Sequence, residues 1–143
     1  LPERHIRKGC KVPGCKPEEC ISNNDAERMY CYRSACYETT RQIVKRLGLT
    51  EDQYSVGFQS RLGRDPWIKP YADVIIEDLA KQGTKKLLVF SPAFVADCLE
   101  TIVEIGSEYK DLFIEHGGEE LQLVESLNSS DAWVKALQKI VLQ

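Results

Sequence analysis

A short apolar run, Leu87-Leu-Val-Phe90, gives way within a few residues to a long stretch of helical spacing that starts at Phe94. An apolar run of strand length feeding a helical pattern reads as a β–α unit. The alternation recurs along the chain. Tyr54–Phe58, Lys85–Phe90 and Glu120–Val124 read as strands. Thr40, Ile43, Val44 and Leu47 share one face of an expected helix over 36–47, with Gly48 as its stop. Pro70 suits the first turn of the next helix, whose buried face is Ile75, Ile76 and Leu79 and which ends at Gly83. The helix from Phe94 carries Leu99, Ile102, Val103, Leu112 and Phe113 as an apolar stripe. Ser129 or Ser130 is the expected cap of a last helix bearing Trp133, Val134, Leu137, Ile140 and Val141. Such alternation implies the α/β class: a parallel sheet with right-handed crossovers, flanked by helices in three layers.

The helix after Phe94 has a second stripe. Asp97, Glu100, Glu104, Glu108, Asp111 and Glu115 step by three or four, and Lys110 is the basic residue among them. Like charges at these spacings repel by about 0.2–0.5 kcal/mol per pair. The row is either a solvated face, which spacing alone favours, or a path for a cation. Ligands of open α/β sheets bind outside the carboxyl ends of the strands. That rule brings the polar loop Gln59–Trp67, Cys98 and Glu100 to one sheet edge.

Five of the six cysteines lie between Cys10 and Cys36, and the sixth is Cys98. Residues 1–35 are expected to be irregular, a cysteine-rich segment ahead of an α/β domain over 36–143. That segment has little apolar material to offset the chain entropy of ordering it. Cys10, Cys15, Cys20 and Cys31 could do so by gripping an inorganic centre. A disulfide framework is the alternative, but structural disulfides are rare in intracellular α/β proteins. The spacing contains no C-x-x-C pair, so zinc and 2Fe–2S both stay open. Net charge is −3, which gives no electrostatic case for a nucleic-acid partner. No apolar run reaches membrane-spanning length and no signal-peptide pattern opens the chain. A start at Leu1-Pro-Glu-Arg, without Met, reads as a piece of something longer.

Three segments in order resemble the carboxyl-terminal half of ferrochelatases. Phe58-Gln-Ser-Arg-Leu-Gly63 with Trp67 and Pro70 resembles the family's Gln-Ser-x-x-Gly…Trp-x-x-Pro segment. Phe94-Val-Ala-Asp-Cys-Leu-Glu-Thr-Ile-Val-Glu-Ile resembles the stretch around the catalytic glutamate, and Glu125-Ser-Leu-Asn128 the terminal Ser-Leu-Asn segment. The resemblance implies a chelatase-like, Rossmann-like half and a function in inserting ferrous iron, as substrate, into a porphyrin. It implies Glu100 as the catalytic carboxylate, Glu104 and Glu108 as the metal path, and a π-type distortion that Gly106 would suit. It also implies Ser60, Arg61, Trp67, Phe94 and Cys98 at the porphyrin, Cys98 standing where many relatives carry His. The family's catalytic His precedes a Leu-Pro like the one at Leu1, and neither His5 nor His116 matches that position.

The cysteine-rich segment resembles a bacterial subgroup with an internal 2Fe–2S cluster, with Cys10, Cys15, Cys20 and Cys31 as its ligands and Cys36 left out. The amino-terminal half of the same protein is the implied partner, the bacterial cytoplasm the implied location, and peripheral membrane contact is admitted. The competing function is a non-catalytic, thiolate-stapled module that holds a metal or cluster and senses redox state. That reading explains the cysteines and leaves Glu100, Glu104 and Glu108 unused. A chelatase for another metal or tetrapyrrole is a third reading, against which the Gln59–Trp67 loop speaks.

Overall fold

The computed structural model describes residues 1–9, 30–61 and 63–143. The chain forms two compact units, Leu1–Ile75 and Ile76–Gln143.

In the first unit, residues 1–9 are not irregular as expected but form helix α1, Glu3–Gly9. Its acidic first residue complements the positive end of the helix dipole. Helix α2, Tyr32–Leu47, starts earlier than residue 36 because Cys31, with extended backbone, takes the N-cap position. Arg33 and Ser34 are thereby buried on its first turn. The helix ends as expected at Gly48, whose left-handed φ of 68° costs glycine little. Ile6, Cys31, Tyr37 and Ile68 form the core, with Val56 and Phe58 packed on it. Tyr37 and Phe58 meet edge to face with centroids 6.0 Å apart.

The expected strand Tyr54–Phe58 is extended but makes a single parallel bridge, Phe58 to Tyr71. Phe58 N–H donates to Pro70 O at 2.8 Å, and Ala72 N–H to Phe58 O at 3.1 Å. The ladder stops there because Pro70 has no N–H to give and a helix begins at Ala72. Pro2 bridges Trp67 in antiparallel fashion, which fastens the start of the chain to the segment after the polar loop.

The second unit holds the sheet. Strands β1, Lys86–Val89, and β2, Glu120–Leu123, are parallel, with Lys86 opposite Glu120 and Val89 opposite Leu123. Helix α3, Ala72–Lys81, contributes Ile76 and Ala80 to a core shared with Phe113 and Leu121, against which Leu87, Val89 and Tyr109 pack. The connection from β1 to β2 runs through a π-helix, Glu100–Glu108, continuous with helix α4, Tyr109–Glu115. Helix α5, Asp131–Val141, follows. Ser130 occupies its N-cap position but its side chain makes no capping bond, contrary to expectation.

The expected apolar stripe after Phe94 is only partly right. Phe113 is fully buried, whereas Leu99, Ile102 and Val103 are 76%, 59% and 44% exposed. Thr101 and Ile105 take the buried positions instead. The stripe assumes α-helical turns; the wider i→i+5 turn of a π-helix rotates the three- and four-step positions away from the core. The last helix likewise buries none of its apolar residues.

Two glycines of the second unit differ sharply. A Cβ on Gly118 would lie 2.3 Å from the ring of fully buried Phe113, whereas one on Gly106 would meet Thr101 O at 3.4 Å and Leu123 Cδ2 at 3.6 Å. Gly106 therefore permits the π-helix without being sterically required by it. Urea denaturation should show Gly118→Ala destabilised by about 1–3 kcal/mol. Gly106→Ala should be neutral or stabilising by up to about 1 kcal/mol.

Candidate active site

The π-helix is held at its start by a knot of hydrogen bonds that begins at Asp97. Asn128 Nδ2 donates to Asp97 Oδ2 at 2.8 Å, and Asp97 N–H donates back to Asn128 Oδ1 at 2.9 Å. The Ser126 N–H reaches both carboxylate oxygens of Asp97 at 3.3 and 3.4 Å. Thr101, fully buried, lies 3.1 Å from Asp97 Oδ1 through its hydroxyl, which accepts from Cys98 N–H at 3.0 Å. Asn128 N–H donates to Val95 O at 2.9 Å. Asn128 adopts φ 46°, a left-handed conformation that Asn tolerates better than most residues. Asp97 is thus no member of an outward acidic row: it is committed to the turn that launches the helix. The Asn128 and Ser126 bonds hold its carboxyl below its ordinary pKa.

Glu100 is the first residue of the π-helix and is exposed. A bond from the Cys98 thiol is the largest cause holding the Glu100 carboxyl below its ordinary value, so it is anionic at neutral pH. Glu104 is half-buried and accepts from Tyr109 Oη at 3.0 Å. These residues are five apart, the spacing that a π turn brings together; the Tyr109 N–H also donates to Glu104 O. Glu108, at the end of the same helix, is exposed. Phe94 is half-buried in the turn before the helix, where its N–H donates to Ser91 O at 3.0 Å. Among the described residues, no three His, Cys, Asp or Glu side chains converge to hold a metal ion. The carboxylates form a row, not a cage.

Ser60, Arg61 and Trp67 lie in the first unit. Ser60 has φ 74°, a strained conformation for a residue with a Cβ. The Arg61 guanidinium pairs with Asp73 and lies 4.3 Å over the Tyr71 ring. Trp67 is half-buried. Asp73 and Tyr71 were missed by sequence reasoning, as were the roles of Thr101, Tyr109 and Asn128. The five-residue Glu104–Tyr109 interval would have signalled a π register.

Cys10, Cys15 and Cys20 lie outside the described residues. Cys31 is 1% exposed, at the N-cap of α2. Arg33, also buried, has an Nε with no hydrogen-bond acceptor among the described residues, and its guanidinium is 3.7 Å from Glu3. Burial pushes the half-buried Cys36 thiol up, and burial together with Cys36 raises the Tyr32 phenol to about 12.

The second unit is thus a parallel β–α–β unit of the α/β class whose connecting helix carries a π segment with a row of carboxylates. A family model described as Ferrochelatase matches residues 1–143, and the chain belongs to that family. It is 48% identical over 145 residues to the ferrochelatase of Pseudomonas putida (strain W619), covering 98% of this chain and 42% of that one. The ferrochelatase of Pseudomonas fluorescens (strain SBW25) is 50% identical over 143 residues, covering 98% and 42%. That of Coxiella burnetii (strain Dugway 5J108-111) is 46% identical over 141 residues, covering 98% and 40%. The chain therefore spans about two fifths of the length of these relatives.

The depressed pKa of Asp97 makes a pH prediction. A carboxyl whose folded pKa lies below its unfolded value adds stability that is fully present above the unfolded pKa, about 3.9. That stability is lost as the pH falls through the folded value. Asp97→Asn should therefore lower stability at neutral pH. It should also flatten the loss of stability on acidification below about pH 4, as followed by thermal unfolding across a pH series.

Proposed function

We propose that this chain supplies the catalytic half of a ferrochelatase that inserts ferrous iron into a porphyrin, protoporphyrin IX or coproporphyrin III, to make haem. The observation that carries this reading is the exposed carboxylate of Glu100 at the head of a π-helix, with Glu104 and Glu108 following on the same element. Metal insertion requires two pyrrole N–H protons to leave as a dication enters. Anionic Glu100 attracts the dication, and its oxygens bind a borderline metal weakly enough to release it. A flat, apolar macrocycle laid over Glu100 removes water from it, which raises a carboxyl's pKa and makes it a better proton acceptor. Glu104, held by Tyr109, and Glu108 extend the negative potential along the helix as the metal path. Phe94 and Trp67 offer aromatic surface to the macrocycle. Cys98 lines it as well, and Ser60 and Arg61 serve its propionates, Arg61 by leaving Asp73.

The proposed partner is the amino-terminal half of the same protein. Leu88, Phe90, Leu99 and Ile102 are each at least 45% exposed, as are Val134 and Ile140 of α5, more apolar surface than water favours. The Cys10–Cys31 segment, within residues 1–35 ahead of the chelatase part over 36–143, is proposed to hold a 2Fe–2S cluster through Cys10, Cys15, Cys20 and Cys31. The described residues suit such a group. Cys31 presents a buried thiol at a helix N-terminus, and Arg33, two residues on, is a buried cation whose Nε–H has no acceptor among the described residues. Bound there, the cluster supplies a cross-link for a segment poor in apolar residues, in the reducing bacterial cytoplasm.

The test of the activity is an iron-insertion assay on this chain joined to the amino-terminal portion that its relatives carry. Glu100→Gln is expected to lower kcat by about 10²–10⁴-fold, with the fold intact by circular dichroism. Activity equal to the parent protein would refute the catalytic assignment.

The cluster is tested by iron and sulfide analysis after anaerobic purification. Two irons and two sulfides per chain are expected, and their loss in Cys31→Ser. A single zinc in a colourless protein would refute the cluster.

A further inference from the structure

The Ser126-Leu-Asn128 segment has no part in the chemistry proposed above, yet it makes a cluster of long-range hydrogen bonds in the second unit. From the far side of β2 it reaches the turn before the π-helix, some thirty residues earlier in the chain, at Val95 and Asp97. We propose that Asn128 is a positioning residue for Glu100, acting through Asp97. The inference rests on the reading of Glu100 as the reacting carboxylate.

The pair is reciprocal. The Asn128 amide gives its Nδ2–H to the Asp97 carboxylate and takes the Asp97 N–H on its Oδ1, at 2.8 and 2.9 Å. Two bonds between the same residues fix orientation as well as distance, which a single bond does not. Thr101 carries the constraint onward. Its hydroxyl sits 3.1 Å from Asp97 Oδ1 and accepts from Cys98 N–H at 3.0 Å, locking the backbone on either side of Glu100. Glu100 lies between Cys98 and Thr101, so its direction follows from a frame whose outer member is Asn128.

The chemistry of the pair also explains the residue types. Asp97 must accept: it receives Asn128 Nδ2 and Ser126 N–H. Its partner must donate to a carboxylate and accept from a backbone N–H at once, which among short side chains an amide does and a carboxylate does not. The partner's backbone must also adopt φ 46°, which Asn, Asp and Gly tolerate. Asn satisfies all of these conditions.

The experiment uses the same joined protein and four variants: Asn128→Gly, Asn128→Asp, Asp97→Asn and the double exchange Asp97→Asn/Asn128→Asp. Asn128→Gly keeps the left-handed backbone and deletes both side-chain bonds to Asp97, together with the one to Glu125 Oε1. It is expected to lower kcat by about tenfold or more with KM little changed, since it disturbs the reacting carboxylate and not porphyrin binding. Asn128→Asp sets a new carboxylate against those of Asp97 and Glu125. Its activity should recover as the pH falls, because a shared proton restores the lost donor. The double exchange returns one amide and one carboxylate to the pair with their places swapped, and should regain at least threefold over Asn128→Asp at neutral pH.

A residue that only supports the fold would lower the melting temperature without the pH-dependent recovery or the rescue. Wild-type kcat in Asn128→Gly, or a double exchange no better than Asn128→Asp, overturns the positioning role. If those results come with Glu100→Gln inactive, the reading of Glu100 stands and only Asn128 is misassigned. If Glu100→Gln is as active as the parent, both fall.

Discussion

The second unit depends on a helix that opens in the wrong register. From Glu100 to Glu108 the backbone bonds i→i+5, a geometry that ordinary helices avoid except as single-turn bulges. Nine residues of it need support from outside the helix. The support sits at both ends. Asp97, Thr101 and Asn128 knot the start, and the Tyr109 hydroxyl and N–H both return to Glu104 at the finish. Buried Thr101, Ile105 and Phe113 then pin the middle and the following α-helical turns to the core. The wide turn has a consequence for charge. It holds Glu100, Glu104 and Glu108 on one element while leaving Leu99, Ile102 and Val103 facing outward. The row of acids is therefore set among apolar residues and not on a wholly solvated face.

That setting bears on the carboxylates' chemistry. On an ordinary charged helix face, each glutamate would have water or a lysine beside it. Here the side-chain partner of Glu100 is the Cys98 thiol, which holds its carboxyl below the ordinary value, and that of Glu104 is the Tyr109 hydroxyl. A neutral donor stabilises the anion without cancelling its charge, so the negative potential remains available to a cation. Arg61 is the reverse case: its charge is already engaged by Asp73 and its flat face by Tyr71. A ligand carboxylate would have to compete for it.

Much of this was legible in the sequence, and the rest failed for definable reasons. The β1–helix–β2 unit could be read because short apolar runs and glycine stops are local signals; Lys86–Val89 and Glu120–Leu123 fall within the expected strands. The strand Tyr54–Phe58 failed because pairing is decided by the partner, and its partner segment carries Pro70. Helix α1 is not legible because its seven residues are too few for a helical period to stand out beside the glycines and prolines that follow. The apolar stripe went astray at Leu99, Ile102 and Val103 because periodicity reasoning presupposes α-helical turns, and the resemblance that implied a π distortion was not carried into the face assignment. Asp97 was placed in the acidic row on spacing alone. Its real partners, Ser126 and Asn128, are some thirty residues away, and nothing local announces a hydrogen bond of that range.

The two units hold sulfur in different settings. In the first unit Cys31 is buried at a helix N-cap, two residues ahead of the buried Arg33. In the second unit the residues set along the helix are carboxylates, with one thiol, Cys98, bonded to Glu100. Thiolates bind soft and borderline metals tightly, and a path built of them would trap iron; oxygen ligands exchange it. Oxygen ligands of the exchanging kind are what Glu100, Glu104 and Glu108 offer, and the bonds from Asn128 to Thr101 fix the backbone on either side of the first of them.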